Sequence, residues 1–154
     1  MTIREAVEND FPEWLRMRRS LYSECNSKLL LSEIEKIFRY KSVVGELDYI
    51  ILVYEMEDGE LAGFIETSLR QNLPNFESSQ VGYIESLYVD AIHRRKGIAR
   101  QLVELSEKWV HSKRCNHFFV DTDPQSKGSI DFYQSIGFKE INRNEMEVLF
   151  KKAG

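Results

Sequence analysis

A length of 154 residues fits one domain, spanning 1–154, that can bury a substantial core. The net charge of −4 speaks against nucleic acid, whose phosphates need a basic face, and leaves room for a cationic substrate. No apolar run approaches membrane-spanning length, so no membrane partner is expected.

The first strand is predicted over Thr2 to Ala6. Asn9 or Asp10 can cap a helix whose first turn suits Pro12 and Glu13. That helix runs to about Tyr22, with Trp14, Leu15, Met17 and Leu21 available for burial. A second helix, Leu29 to Tyr40, carries Leu30, Ile34, Ile37 and Phe38 on one side. Tyr49 to Met56 is almost all β-former, and Asp58-Gly59 suits a tight turn into a returning strand, Leu61 to Leu69. Arg70 to Gln80 contains Pro74 and many polar residues, and reads as a loop long enough to be functional. Val81 to Val89 reads as a strand. A helix follows from about Gly97 to Ser112, with Ile98, Leu102, Leu105 and Trp109 on one face. His117 to Asp121 is short and apolar on both faces, as a buried parallel strand would be. Asp123-Pro124 breaks it, Ser126 can cap a helix ending near Ser135, and Gly137 stops that helix. Phe138 to Arg143 and Glu145 to Lys151 form a closing hairpin. The order is β-α-α-β-β-β-α-β-α-β-β, an α/β order with one parallel crossover. Ligands of such sheets bind at the carboxyl ends of strands, where the turn before Gly97 and Asp121 both fall.

The start, Met-Thr-Ile-Arg-Glu, has no signal-peptide pattern, so a cytoplasmic protein is expected. Cys25 and Cys115 lie far apart, and His93, His111 and His117 are scattered. No metal is expected, and both thiols read as reduced and without a chemical role.

The stretch Arg94-Arg-Lys-Gly-Ile-Ala99 joins the central strand to its helix. A glycine there lets backbone approach a ligand, and the helix start offers free N–H groups beside three cations. These are the features of a site for a phosphorylated ligand, although such a turn is also often only a solvated loop. It is neither a Walker loop nor a GxGxxG. It does fit Arg/Gln-x-x-Gly-x-Gly/Ala and follows Leu87-Tyr-Val89, and so resembles the acetyl-CoA-binding motif of the GNAT N-acetyltransferases. Ser126-x-x-Ser-Ile-x-Phe-Tyr133-x-x-x-Gly-Phe138 resembles the C-terminal motif of that superfamily, usually Asn-x-x-Ala-x-x-Phe-Tyr-x-x-x-Gly-Phe. Ser126 and Ser129 depart from it. The resemblance implies a mixed, mostly antiparallel twisted sheet with a central parallel pair, flanked by helices.

A narrower resemblance runs from about Phe64 onward. Phe64-Ile-Glu-Thr-Ser-Leu-Arg70, Val81-Gly-Tyr-Ile-Glu-Ser-Leu-Tyr-Val89 and Val120-Asp-Thr-Asp-Pro124 resemble segments of bacterial aminoglycoside 6′-N-acetyltransferases. Ser86 stands where those enzymes have Gly, and Val120 where they have Ser. The implied activity is direct transfer of acetyl from acetyl-CoA to a small cationic amine, the aminoglycoside 6′-amine, in a ternary complex. The same fold would also serve another amine (a polyamine, a protein amino terminus or a small metabolite) or a CoA-sensing module.

The resemblance assigns roles residue by residue. Arg94, Arg95, Lys96, Gly97, Ile98 and Ala99 would hold the pyrophosphate, Leu87 and Val89 the pantetheine arm and thioester through their main chain, and Ser126 one further cofactor contact. Tyr133 would protonate the departing thiolate, since a phenol's reference pKa of about 10 lies not far above a thiol's. Glu85, Asp121 and Glu145 would line the acceptor site. Either Glu85 or Asp121 would be the base, with Asp121 favoured on family grounds. Tyr22, near the end of the first helix, is a further candidate substrate contact. The last hairpin would expose an edge strand, which suits a homodimer.

Overall fold

The computed structural model describes residues 1–40, 48–71, 73, 75, 76 and 79–152. Of the loop expected between Arg70 and Gln80, residues 72, 74, 77 and 78 lie outside the described residues, Pro74 among them. The elements in order are β1 (Thr2–Glu5), α1 (Phe11–Leu21), α2 (Ser27–Tyr40), β2 (Tyr49–Glu55), β3 (Leu61–Arg70), β4 (Val81–Val89), α3 (Ile98–Ser112), β5 (Phe118–Thr122), α4 (Lys127–Ser135), β6 (Phe138–Arg143) and β7 (Val148–Lys152). Among the described residues seven strands form one sheet, ordered β1-β2-β3-β4-β5-β7-β6. Every neighbouring pair is antiparallel except β4 with β5, which are parallel. This is the mixed sheet with a central parallel pair expected from the sequence.

The middle strands are apolar on both faces because both faces are covered. Ile50, Leu52 and Tyr54 of β2 join Ile65, Leu69, Leu102, Val103 and Val110 in the core under α3 and α4. Ile51 and Val53, which alternate with them, join Trp14, Met17, Ile34 and Phe64 under α1 and α2.

α3 buries Ile98, Leu102, Val103, Ser106 and Val110. Leu105, expected on that face, is 38% exposed. The helix is turned so that Val110 meets the sheet at Gly82, where a Cβ would stand 2.4 Å from a Val110 methyl. Ser106 then faces inward, and its hydroxyl accepts a hydrogen bond from Thr67 at 3.0 Å. A serine satisfied in this way passes unnoticed in a count of apolar residues.

Asp10 precedes α1 but makes no side-chain cap bond to it. Its carboxylate reaches back instead, accepting from the Val7 N–H at 2.8 Å and from Arg4 at 2.7 and 3.0 Å. Ser126 precedes α4 likewise without capping it, and its hydroxyl donates to Ser129 at 2.9 Å. β7 starts at Val148, so Glu145 falls in the hairpin turn, which Asn144 closes by accepting from the N–H groups of Met146 and Glu147 at 2.7 and 2.9 Å. No helix among the described residues is long and apolar enough to cross a membrane.

Candidate active site

The central parallel pair is short. Gly82, Tyr83 and Ile84 pair with Phe118, Phe119 and Val120, and the pairing then stops. The reason lies on the other side of β4. There Thr67 pairs with Ile84 but Glu66 pairs with Ser86, leaving Glu85 as the extra residue of a bulge. A bulge bends its strand and increases its twist. Beyond it, Leu87, Tyr88 and Val89 pair with β3 alone among the described residues, so a gap opens between β4 and β5.

The turn into α3 lies at that end. Arg95 and Gly97 both have left-handed backbone, with φ of 64° and 80°. Alternation of this kind curls successive N–H groups inward, the arrangement that binds anions. No acidic residue occupies the first turn of α3. Arg95, Lys96 and Gly97 are exposed, Ala99 is half-buried, and Ile98 anchors the helix start in the core. Arg94 is partly committed elsewhere: its Nε donates to the Val89 carbonyl at 2.9 Å, and its guanidinium lies 5.7 Å from the Tyr88 ring centroid. Leu87 and Val89 thus border the gap, with the Val89 carbonyl already bonded.

The carboxylates are placed differently from one another. Glu85 faces Arg70, which donates through Nε at 2.7 Å and Nη2 at 2.6 Å, and Ser68 adds a hydroxyl at 2.6 Å. Asp121 ends β5 and accepts a hydrogen bond from the Tyr83 hydroxyl. Burial, and then that bond, push the Tyr83 phenol far above its usual range. Arg70 stacks on the same ring, 3.6 Å from its centroid. Glu145 and Glu147 are both exposed, and the charge of Glu147 makes only the smallest of the contributions at Tyr83. Sequence reading missed Arg70, Tyr83 and Glu147. For Arg70 the signal was present, because a charge inside an apolar strand such as Glu85 demands a partner.

Tyr133 is 6% exposed and packs edge-on against Phe132 and Phe138, with ring centroids 5.1 and 5.5 Å away. Its hydroxyl has no hydrogen-bond partner among the described residues. Burial raises its pKa well above the ordinary phenol range, and the Asp121 carboxylate adds to this. Tyr133 belongs to the core under α3 and α4, while Tyr83 and Phe119 alternate onto the opposite face. Tyr22, just past α1, has its hydroxyl hydrogen-bonded with Ser86 and 3.4 Å from the Glu85 carbonyl, so it braces the bulge.

Behind the bulge lies a buried acid that the sequence did not announce. Glu66 accepts from Trp14 Nε1 at 2.8 Å and sits 3.3 Å from Arg18 Nε, an ion-pair distance without hydrogen-bond geometry. Burial raises its pKa, against the pull of Arg18, Trp14 and Ser86. No group of three metal-binding side chains is assembled among the described residues.

A parallel pair forced apart by a bulge, beside an anion-binding helix start, defines a fold built to hold a phosphate-bearing cofactor across a sheet. The chain belongs to the acetyltransferase (GNAT) family, whose sequence profile matches residues 11–138. Similar proteins are more particular. Aminoglycoside N(6′)-acetyltransferase type 1 of Salmonella enteritidis is 28% identical over 93% of this chain and 94% of its own length. The enzyme of the same name from Serratia marcescens is 32% identical over 84% of this chain and 86% of its own. Among solved structures, aminoglycoside 6′-N-acetyltransferase AAC(6′)-Ig from Acinetobacter haemolyticus superposes with a TM-score of 0.82 at 28% identity, covering 94% of each chain. AAC(6′)-Iy in complex with the bisubstrate analogue CoA-S-monomethyl-acetylneamine gives 0.79 at 27% identity, covering 93% of each chain.

Proposed function

We propose that this protein is an acetyl-CoA-dependent aminoglycoside 6′-N-acetyltransferase, acting by direct attack in a ternary complex. The observation that carries the reading is the gap between β4 and β5, with the Gly97 turn at its mouth and Asp121 on its wall. Likeness to aminoglycoside enzymes over most of the chain supports the acceptor.

In this reading the N–H groups of Arg95 to Ala99 hold the pyrophosphate, with Arg94, Arg95 and Lys96 adding charge. Ser126 lends a hydroxyl at the start of α4. The main chain of Leu87 and Val89 guides the pantetheine arm into the gap and polarises the thioester carbonyl. Asp121 holds the incoming ammonium and takes a proton from it, directly or through water. The freed amine forms a bond to the carbonyl carbon, the carbon–sulfur bond breaks, and Tyr133 gives its proton to the departing thiolate; the surplus proton on the attacking nitrogen then passes through water to the Tyr133 phenolate, and Asp121 releases its proton to solvent. Tyr133 lies in the core under α3 and α4, and Asp121 alternates with Val120 of that core onto the other face, which in this reading suits a leaving group on one side and a nucleophile arriving on the other. Glu85, paired with Arg70, contributes field rather than proton transfer, and Tyr22 keeps its backbone in place. Glu145 and Glu147, both exposed beside the β6–β7 turn, add negative charge at longer range. The open edge of β6 supports a homodimer, and the cytoplasm, where acetyl-CoA is made, is the proposed location.

The test is release of coenzyme A thiol from acetyl-CoA with kanamycin or tobramycin, set against spermidine and a peptide amino terminus. Aminoglycoside-dependent release is expected. Release with only spermidine or only peptide would replace the acceptor, and release with none would reject the enzyme. Asp121→Asn is expected to lower kcat by roughly 10²–10⁴-fold while acetyl-CoA affinity holds. Undiminished turnover would remove Asp121 as the base.

A further inference from the structure

We propose that Arg70 is the specificity-determining residue of the acceptor site, a resident cation that occupies Glu85 and thereby limits how much positive charge the site accepts. The inference rests on the acetyltransferase reading above and deepens it.

Both oxygens of Glu85 are taken. Oε1 accepts from Arg70 Nη2 at 2.6 Å, and Oε2 accepts from Arg70 Nε at 2.7 Å and from Ser68 Oγ at 2.6 Å. This is the forked, two-bond geometry in which guanidinium holds carboxylate most firmly. The side chains are 37% and 22% exposed, so water screens the pair only in part. The guanidinium carbon also lies 3.6 Å from the centre of the Tyr83 ring, close enough for a stacked cation–π contact. Arg70 is thus held at two points of β4, by the Glu85 carboxylate and by the Tyr83 ring two residues earlier.

The consequence is a change in what an incoming amine meets. Glu85 and Asp121 would together present two negative charges. With Arg70 in place, the sum falls to one, and the charge removed is the one on the bulge. Asp121 remains available, because Tyr83 engages Oδ2 and no described residue engages Oδ1. An ammonium that reached Glu85 would have to displace a fork already satisfied at both oxygens. Acceptor ammonium groups are therefore directed to Asp121, and a further cationic group gains nothing from Glu85.

The experiment measures steady-state kinetics and calorimetric binding of tobramycin for the native protein, Arg70→Met, Glu85→Gln and the double variant. Methionine keeps an apolar stem against Tyr83 and drops the charge. Arg70→Met is expected to lower the tobramycin KM and dissociation constant roughly fivefold, the gain one part-exposed ion pair supplies. Its KM should also rise more steeply with salt than the native one, while the acetyl-CoA KM stays put. Glu85→Gln should weaken tobramycin binding more in the Arg70→Met background than in the native one. A higher or unchanged tobramycin dissociation constant in Arg70→Met would overturn the proposal, as would equal effects of Glu85→Gln in both backgrounds. Should Arg70→Met melt early, Arg70→Gln, which keeps a donor for Glu85, carries the same comparison. A native protein that binds tobramycin without acetylating it would sink the enzymatic reading, yet calorimetry would still decide the part played by Arg70.

Discussion

Asp10 ties the N-terminal strand to the helix that follows it. Burial opposes its ionisation, but the Arg4 guanidinium and the Val7 N–H outweigh that and hold its pKa below the ordinary 3.8. A depressed folded-state pKa means the stabilisation is complete above the ordinary carboxylate range and is lost as pH falls through the lowered value. Asp10→Asn is therefore expected to cost about 2 kcal/mol at pH 7, a cost that shrinks towards zero as pH falls below the carboxylate range. Urea melts of both proteins at a series of pH values check this, and a cost independent of pH would refute it. Single residues could be singled out in the sequence where they belonged to a motif, as Tyr133 and Asp121 did, and their roles remain proposals. They were not legible where role depends on rotation or reach. Arg70 pairs with Glu85 and stacks on Tyr83, contacts set by how strands register and not by any spacing along the chain.

At the level of elements, the seat of α3 on β4 governs the anion-binding turn. Gly82 lies where a Cβ would come within 2.4 and 2.6 Å of the two Val110 methyls, which are themselves fully buried. Val110 has no room to yield, so Gly82→Ala must push α3 outward. It is expected to destabilise the fold by about 1–3 kcal/mol and to raise the acetyl-CoA KM, because the helix start moves with the helix. Val110→Ala in the same chain should recover part of both losses. If Gly82→Ala alters neither melting temperature nor KM, the packing account fails. Strand and helix identities were readable from apolar spacing, but the buried stripe of α3 was not. Leu105 was expected inside, and Ser106 is there because Thr67 satisfies it. The bulge was unreadable too, since an extra residue leaves a two-residue alternation looking like a local lapse. Glu85, a charge in an apolar strand, was its one visible trace.

For the molecule as a whole, two cores sandwich the middle of the sheet, and the ligand gap lies where that sandwich is interrupted. A ligand bridging the gap binds the folded chain alone. Coenzyme A at one hundred times its dissociation constant is expected to add about 2.7 kcal/mol of stability. In a chain of this size that is a rise of about 5–10 °C in melting temperature. Gly97→Ala should blunt the rise, because a left-handed residue with a Cβ costs about 1–2 kcal/mol. An unchanged melting curve with coenzyme A would leave the turn without a ligand. The overall order of elements was legible, since alternation, turn residues and two motifs agreed. The insertion of β7 between β5 and β6 was not, because pairing between distant segments leaves no local periodicity.

That insertion has a consequence for biosynthesis. Asp121 stands opposite Leu149, and Thr122 opposite Val148, so β5 gains its outer neighbour only long after β5 itself has been made. Until residue 152 has emerged from the ribosome, the nascent polypeptide lacks the rail against which Asp121 is aligned. Chains that stop before Val148 should be inert, and acetylation in a cell would track translation through that rail with no partial credit.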